Sequence, residues 1–414
     1  MKKLLSEVIN EIKPSNEYEK EILGKANNII YKINKNIKDA KAVLGGSGAK
    51  GTWLKTFDAD VFVKFNYNKF KDKSDKLSDN LEKFLKKHFK ITRLHGSRDY
   101  FQIKKGKFTF EIVPILDIKR SEQAKNITDV SPLHSNFVLK HKKLIDEMRL
   151  TKQFFKAADV YGAESYIRGF SGYVCEILTV YYGSFLKLIR AIPKWKEKTV
   201  IDVKKFYKKK NVFTEINKSK LTSPLIVIDP VQKDRNAAAA LDQEKFEVLK
   251  HRAKEFSKKP SKKFFEIKLL TENDIIKKFQ KNKLIMLKAK PLNKKEDVAG
   301  AKMLKAFHFI EKNLIFNGFN IIESDMLWHA KTSSLFYYAL EKDKLPKTIA
   351  IPGPPLKIKR HVLLFKKSHK KTFVKNKRIF AIEKRKFSNA RDLIKNIIKT
   401  TNVKDNINKI EIIK

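Results

Sequence analysis

The sequence predicts a multidomain α+β protein: a mixed-sheet head with helices, a helical middle and an α+β C-terminal part. The apolar period changes along the chain: it is mixed over residues 1–135, helical over 136–258 and mixed again over 259–414. A length of 414 residues is more than one hydrophobic core organises. The polar, proline-bearing stretch SKKPSKK at 257–263 reads as a boundary.

The elements follow in order. Leu5, Ile9 and Ile12, then Ile22, Ala26, Ile29 and Ile33, recur at helical spacing, and Pro14 separates the two helices. Residues 42–44 form a short apolar strand that stops at the flexible turn Gly45-Gly46-Ser47-Gly48. A strand over 58–65 comes next, then a helix from Ser74 to His88, then a strand pair between 91 and 115. That order predicts a small mixed sheet with helices on one side. Helical spacing returns over 136–191, through Leu144, Met148 and Phe155 and then Val174, Leu178, Tyr182 and Phe185, and a further helix covers 242–256. In the last part, strands at 264–270, 283–290, 319–324, 333–340, 361–366 and 378–383 alternate with helices near 271–280 and 301–317. A final helix starts at Ala390, and no internal repeat is present.

Composition narrows the partners. The 92 Lys and Arg outnumber 45 Asp and Glu, giving a formal net charge of +47. Such a field draws polyanions, so nucleic acid is the leading partner and an anionic membrane surface the second. A lysine-rich proteome accounts for part of the excess, since the chain is also heavy in Ile, Asn and Phe. Cys175 is the single cysteine, which excludes an intrachain disulfide and a cysteine-rich zinc site. Residues 1–15 lack the apolar segment of a signal peptide, and no run of 18 apolar residues occurs, so a cytoplasmic protein without a membrane span is expected.

The chemistry-bearing residues are acidic. Asp58 and Asp60 lie two apart on one strand, so both carboxylates leave the same face, while Ala59, Val61 and Val63 face a core. Two such carboxylates repel unless a cation sits between them, and a hard cation such as Mg²⁺ suits oxygen ligands. Glu111, in KFTFEIVPI, projects opposite Phe108, Phe110 and Ile112. If its strand neighbours the 58–65 strand, three acids converge into a cluster fit for two metal ions. An isolated D-x-D is more often an exposed edge pair. Here Gly46-Ser47 precedes it, in a turn whose amides and hydroxyl suit a phosphate. Gly-Ser followed ten residues later by D-x-D resembles the signature of DNA-polymerase-β-like nucleotidyltransferases.

Further stretches resemble the class I, archaeal-type CCA-adding enzymes. They are GGSGAKGTWL at 45–54, RLTKQFFKAADVY at 149–161 with Gly162-Ala163-Glu164, RGFSGY at 168–173 and EILTVYYGSF at 176–185. DPVQKDRN at 229–236, followed by four alanines, and Gly353-Pro354-Pro355 also fit. The resemblance touches all three parts. It implies a polymerase-β-like catalytic head at 1–135, a central helical nucleotide- and tRNA-binding domain at 136–258, and a ferredoxin/RRM-like tRNA-binding body and tail at 259–414.

The resemblance also implies roles. Asp58, Asp60 and Glu111 would be the catalytic metal ligands, with Asp58 where the family commonly has Glu and Glu111 where it has Asp. Ser47, Lys50, Lys152 and Tyr161 would bind the triphosphate, with Lys50 where Arg is common. His134 would bind nucleotide, and Arg235 would help read the incoming base together with the RNA. From the residues alone, Tyr161 reads equally as a core aromatic and Arg235 as a surface partner of Asp229 or Asp234. Cys175 and Trp53 read as packing residues.

The implied activity is template-independent addition and repair of the 3′-terminal CCA of tRNA from CTP and ATP, with release of pyrophosphate. Its cofactor would be Mg²⁺ and its partner the tRNA acceptor stem and 3′ end, with monomer and homodimer both open. A poly(A)- or oligo(A)-type RNA nucleotidyltransferase, or a catalytically inactive RNA-binding relative, would share the acids. In the C-terminal part, residues 361–387 interleave Lys and Arg with Phe365, Phe373, Phe380 and Phe387, which suits RNA or equally a strand core.

Overall fold

The structure is a computed structural model that describes residues 1–55, 59–208, 210–328 and 332–414. The chain divides into two units, Met1–Lys268 and Leu269–Lys414.

The first unit opens with helices α1 (Lys2–Ile12) and α2 (Asn16–Asn36). Ser15 caps the second, its side chain accepting from the Tyr18 amide at 3.2 Å. Five strands follow: β1 (Ala40–Leu44), β2 (Ala59–Asn66), β3 (Thr92–Leu94), β4 (Tyr100–Lys105) and β5 (Phe108–Asp117). They lie in the order β1-β2-β5-β4-β3, with β2 and β5 parallel and the other neighbours antiparallel. A parallel pair needs a long crossover. Here it includes α4 (Tyr67–Phe70) and α5 (Leu77–His88), whereas the short α3 (Gly46–Lys50) joins β1 to β2.

Period-two alternation decides what each strand buries. Ala59, Val61, Val63 and Phe65 join Phe108, Phe110 and Ile112 in a core closed by Ile22, Ala26 and Ile29 of α2 and Leu77, Leu81 and Leu85 of α5. Asp60 and Glu111 therefore stand on the opposite face.

A second core in the same unit is helical. It draws on α6 (Ser131–Leu139), α7 (Ile145–Ala157), α8 (Gly172–Tyr182), α9 (Phe185–Ala191) and α11 (Gln243–Lys258), with α10 (Val212–Glu215) and the parallel pair β6 (Thr199–Ile201) and β7 (Leu225–Val227) completing the region. Phe154, Phe185, Phe256 and Phe265 meet edge to face at its centre. Val8, Ile9 and Ile12 of α1 also belong to this core rather than to the sheet. Cys175 is fully buried within it, as expected of a small packing residue.

In the second unit, β8 (Lys283–Lys290), β9 (Ile321–Leu327), β10 (Ser334–Leu340) and β14 (Lys409–Ile412) form an antiparallel sheet in the order β14-β8-β10-β9. Leu287 and Phe336 from the sheet bury against Met303, Phe307 and Ile310 of α13 (Glu296–Phe316) and Leu393 and Ile394 of α15 (Ala390–Ile397). A smaller core below holds Ile275 of α12 (Glu272–Lys278). A three-stranded sheet of β11 (Thr348–Pro355), β12 (Thr372–Lys375) and β13 (Arg378–Lys384) sits between β10 and α15 in sequence, with α14 (Lys359–Ser368) inside it and α16 (Thr401–Lys404) before β14.

Two expected strands are corrected. Among the described residues, 264–270 pair with no strand: a 3-10 turn, Lys262–Phe265, sends Phe265 into the helical core, and Ile267 and Leu269 are exposed. Residues 361–366 are helical: Val362–Phe365 lie inside α14 as a contiguous apolar run flanked by basic residues, with no period-two alternation to specify a strand. β6, β7, β11, β12 and β14 were not anticipated, and the strand pair expected between 91 and 115 is three strands, β3, β4 and β5. Among the described residues no helix is long and apolar enough to cross a membrane.

Candidate active site

Strand register sets the acids side by side. Asp60 on β2 is paired with Glu111 on β5, and Glu111 is paired in turn with Gln102 on β4. Neighbouring strands lie about 4.8 Å apart, so the three side chains form a row across the sheet. Gln102 Nε2 donates to Glu111 Oε1 at 3.0 Å and so orients that carboxylate. Asp58 lies outside the described residues.

The 45–50 segment packs against the same end of β2. The Gly45 amide donates to the Asp60 carbonyl at 2.8 Å. Gly46 takes φ +54, and a Cβ there would overlap the Asp60 carboxylate. Glycine is required twice over, for the left-handed backbone and for the close approach. Ser47 follows in the first turn of α3, which ends at Gly51 in the left-handed region. The expected flexible turn is thus a single turn of helix.

Beyond α3, two lysines and a threonine converge on one buried carboxylate. Glu176 Oε2 accepts from Lys50 Nζ at 2.7 Å, and Oε1 accepts from Lys152 Nζ at 2.7 Å and from Thr52 Oγ1 at 2.6 Å. Lys152 Nζ also donates to Thr52 Oγ1 at 2.8 Å. Burial alone would raise the Glu176 carboxyl, but Lys152 and then Lys50 hold it down at about 2. Burial drags the Lys152 ammonium below its ordinary value even with Glu176 opposing it. The Tyr161 phenol and the Lys152 stem meet over Gly172, where a Cβ would stand 2.7 Å from the hydroxyl oxygen.

A second buried carboxylate organises the other side. Asp229 Oδ2 accepts from Arg235 Nη1 at 2.6 Å and lies 3.0 Å from His134 Nε2. Its Oδ1 accepts from the Val231 amide at 2.8 Å and the Tyr173 hydroxyl at 3.2 Å. Burial works to raise this carboxyl, and His134, the Val231 amide and Arg235 bring it down to about 2. The Tyr173 ring stacks on His134 at 4.1 Å between centroids, and Lys50 Nζ lies 5.9 Å from the same ring. Tyr173 thereby joins the two clusters into one surface.

Known proteins match this architecture. Residues 146–266 match the family model for the tRNA nucleotidyltransferase second domain, and residues 284–413 that for the CCA-adding enzyme C-terminal domain. Residues 1–131 match a second messenger oligonucleotide or dinucleotide synthetase domain. A CCA-adding enzyme of Methanocaldococcus jannaschii is 31% identical over 96% of this chain and 91% of its own length. One of Nanoarchaeum equitans is 36% identical over 83% of this chain and 84% of its own.

The chain belongs to the CCA-adding enzymes.

This CCA-adding enzyme is a template-independent nucleotidyltransferase that adds CCA to tRNA, and nucleotidyltransferases of this kind use divalent metal ions. Its fold also resembles a solved cytoplasmic RNA terminal U-transferase, with a TM-score of 0.51 at 16% identity over 65% of this chain and 98% of that one. A Cid1 RNA terminal uridylyl transferase gives 0.51 at 14% identity, over the same shares.

Of the residues singled out from the sequence, the structure brings Asp60 beside Glu111, Lys50 beside Lys152, Tyr161 beside Lys152, and His134 beside Arg235. Arg235 does pair with Asp229, but with a buried carboxylate that His134 shares rather than on the surface. Trp53 is buried in the sheet core, its indole donating to Glu19 at 3.1 Å. Sequence reasoning missed Gln102, Glu176, Asp229 as a hub, and Tyr173. The last three sit inside stretches the family resemblance had already picked out, where an acid or phenol amid apolar residues was the available signal.

Proposed function

We propose that the Asp60–Glu111 row is the catalytic centre of this enzyme and that Asp58 completes it. The observation that carries this reading is the parallel pairing of Asp60 with Glu111 directly against Gly46. The donor set consists of hard carboxylate oxygens, which fits Mg²⁺ held by Asp58, Asp60 and Glu111. Bound there, the ion supplies a more acidic 3′-hydroxyl and neutralises charge on the triphosphate.

The protein's own residues do the rest. Ser47 and Lys50 receive the triphosphate and stabilise the departing pyrophosphate, and Lys152 and Tyr161 complete the pocket behind them. His134 and Arg235, fixed by Asp229, face the base and the RNA end, so that choice between CTP and ATP depends on protein and RNA together. Gln102, on the far side of Glu111 from Asp60, holds one carboxylate oxygen of Glu111 and leaves the other for the metal. In this reading the 3′-hydroxyl of the tRNA attacks the α-phosphate in line and pyrophosphate leaves.

We assign the helical part of the first unit, about residues 136–258, to nucleotide and tRNA binding, and residues 259–414 to tRNA recognition. The strand–helix–strand–strand–helix–strand order of β8, α13, β9, β10, α15 and β14 supports a ferredoxin-like body, with β11 to β13 inserted. Recognition of an RNA duplex by such a basic surface works through shape and backbone.

The test is incorporation of labelled CTP and ATP into tRNA lacking CCA. Asp58→Ala and Asp60→Ala are each expected to cut incorporation by about a thousandfold, ~4 kcal/mol of barrier, with tRNA affinity kept. Retained turnover in both variants refutes the assignment.

A further inference from the structure

We propose that Glu176 is a positioning residue that holds Lys50 and Lys152 as a charged pair, aiming Lys50 at the triphosphate; this rests on the nucleotide-binding reading above. Three features of the cluster carry the inference. First, each oxygen of one carboxylate takes one ammonium at 2.7 Å, Lys50 from α3 and Lys152 from α7, while Glu176 itself comes from α8. Three elements are thus tied at a single fully buried group. Second, the count of charges does not cancel: two lysines face one glutamate, which leaves the cluster with a positive charge and a preference for an anion. A buried charge left uncompensated is costly, and a phosphate oxygen would relieve it.

Third, the lysines are engaged differently. Lys152 is 4% exposed, and its ammonium donates to Glu176, to Thr52 Oγ1 at 2.8 Å and to the Thr52 carbonyl at 3.3 Å. Those three bonds use its three protons. Lys50, 9% exposed, shows one such bond among the described residues, to Glu176, and stands over the Tyr173 ring. Lys50 therefore reaches toward phosphate, with Lys152 and Thr52 fixing the carboxylate behind it.

The groups facing Glu176 are Lys50 at one oxygen and Lys152 with Thr52 at the other, with Lys156, Tyr161, Tyr173 and Cys175 near by. With the carboxylate gone, burial would strip a proton from Lys152 at lower pH, and the pocket would lose charge as pH rises.

The experiment uses the full chain, with inorganic tripolyphosphate as a competitor of CTP. Glu176→Gln is expected to raise the KM for CTP and ATP and the tripolyphosphate Ki together by about tenfold at neutral pH, with tRNA affinity unchanged. The factor should grow as pH rises, and Glu176→Asp, which keeps the charge, should restore a flat profile. A folded Glu176→Gln with native KM and Ki throughout overturns the proposal. Lys152→Met is the control. If it weakens tripolyphosphate and Glu176→Gln does not, Glu176 has no positioning role; if neither does, the triphosphate assignment itself falls and takes the inference with it. Should Glu176→Gln fail to fold, Thr52→Val is read instead: a Ki raised about threefold supports the proposal, and a native Ki overturns it.

Discussion

Glu176 and Asp229 each gather groups that no short motif would connect. Lys152 lies 24 positions from Glu176, and Lys50 lies 126 away; His134 stands 95 from Asp229. Both carboxyls are held near 2, below their ordinary values. A depressed carboxyl pKa contributes stability that is complete above the unfolded value and lost as pH falls through the folded one. Unfolding free energy should therefore hold above about pH 4.5 and drop as pH falls toward 2, by on the order of 2 kcal/mol for each group. Urea denaturation across that range checks it: in Asp229→Asn the drop should be smaller, and an unchanged profile would remove Asp229 from the account. At this scale the sequence was informative where local periodicity applies. Asp60 and Glu111 were legible because alternation on a strand separates core from site face. Glu176 was not, because a lone acid inside an apolar helix gives no local sign of the cations that neutralise it.

The arrangement of elements turns those residues into a site. Parallel pairing of β2 with β5 is what places Glu111 beside Asp60, and α3 is pressed against the same strand through Gly46. Gly46→Ala should therefore lower CTP incorporation by at least about a hundredfold while leaving tRNA affinity intact, because the new methyl must displace either Asp60 or the turn. Wild-type kcat in that variant would show the turn to be remote from the chemistry. Strands with clear alternation, such as β2 and β5, were readable from their residues. The 264–270 stretch alternates equally well yet forms no strand, since Phe265 gains more from the aromatic cluster around Phe154 than a strand without a partner would offer. The four-residue apolar run 362–365 suits helix and strand alike, and basic residues on both sides gave no arbitration. β14 is four residues long and is specified by its partner β8 rather than by its own pattern.

Over the whole molecule the dominant quantity is charge. A net +47 on 414 residues far exceeds what solubility requires, and tRNA is the polyanion it meets. Affinity for tRNA should fall linearly on a log–log plot against salt, by about a thousandfold or more between roughly 50 and 200 mM if six to ten phosphates are contacted. Indifference to ionic strength, measured by filter binding, would mean that most lysines face solvent only. Charge was visible at once in the sequence, but it named a class of partner and no reaction; the reaction came from acids whose meeting depends on a crossover of about forty residues. The most direct measurement is therefore anomalous diffraction from crystals of the enzyme with tRNA, CTP and Mn²⁺. The account predicts a manganese peak touching the carboxylates of both Asp60 and Glu111, with the triphosphate against residues 46–50. Manganese bound elsewhere, with Glu111 turned away from Asp60, would contradict it.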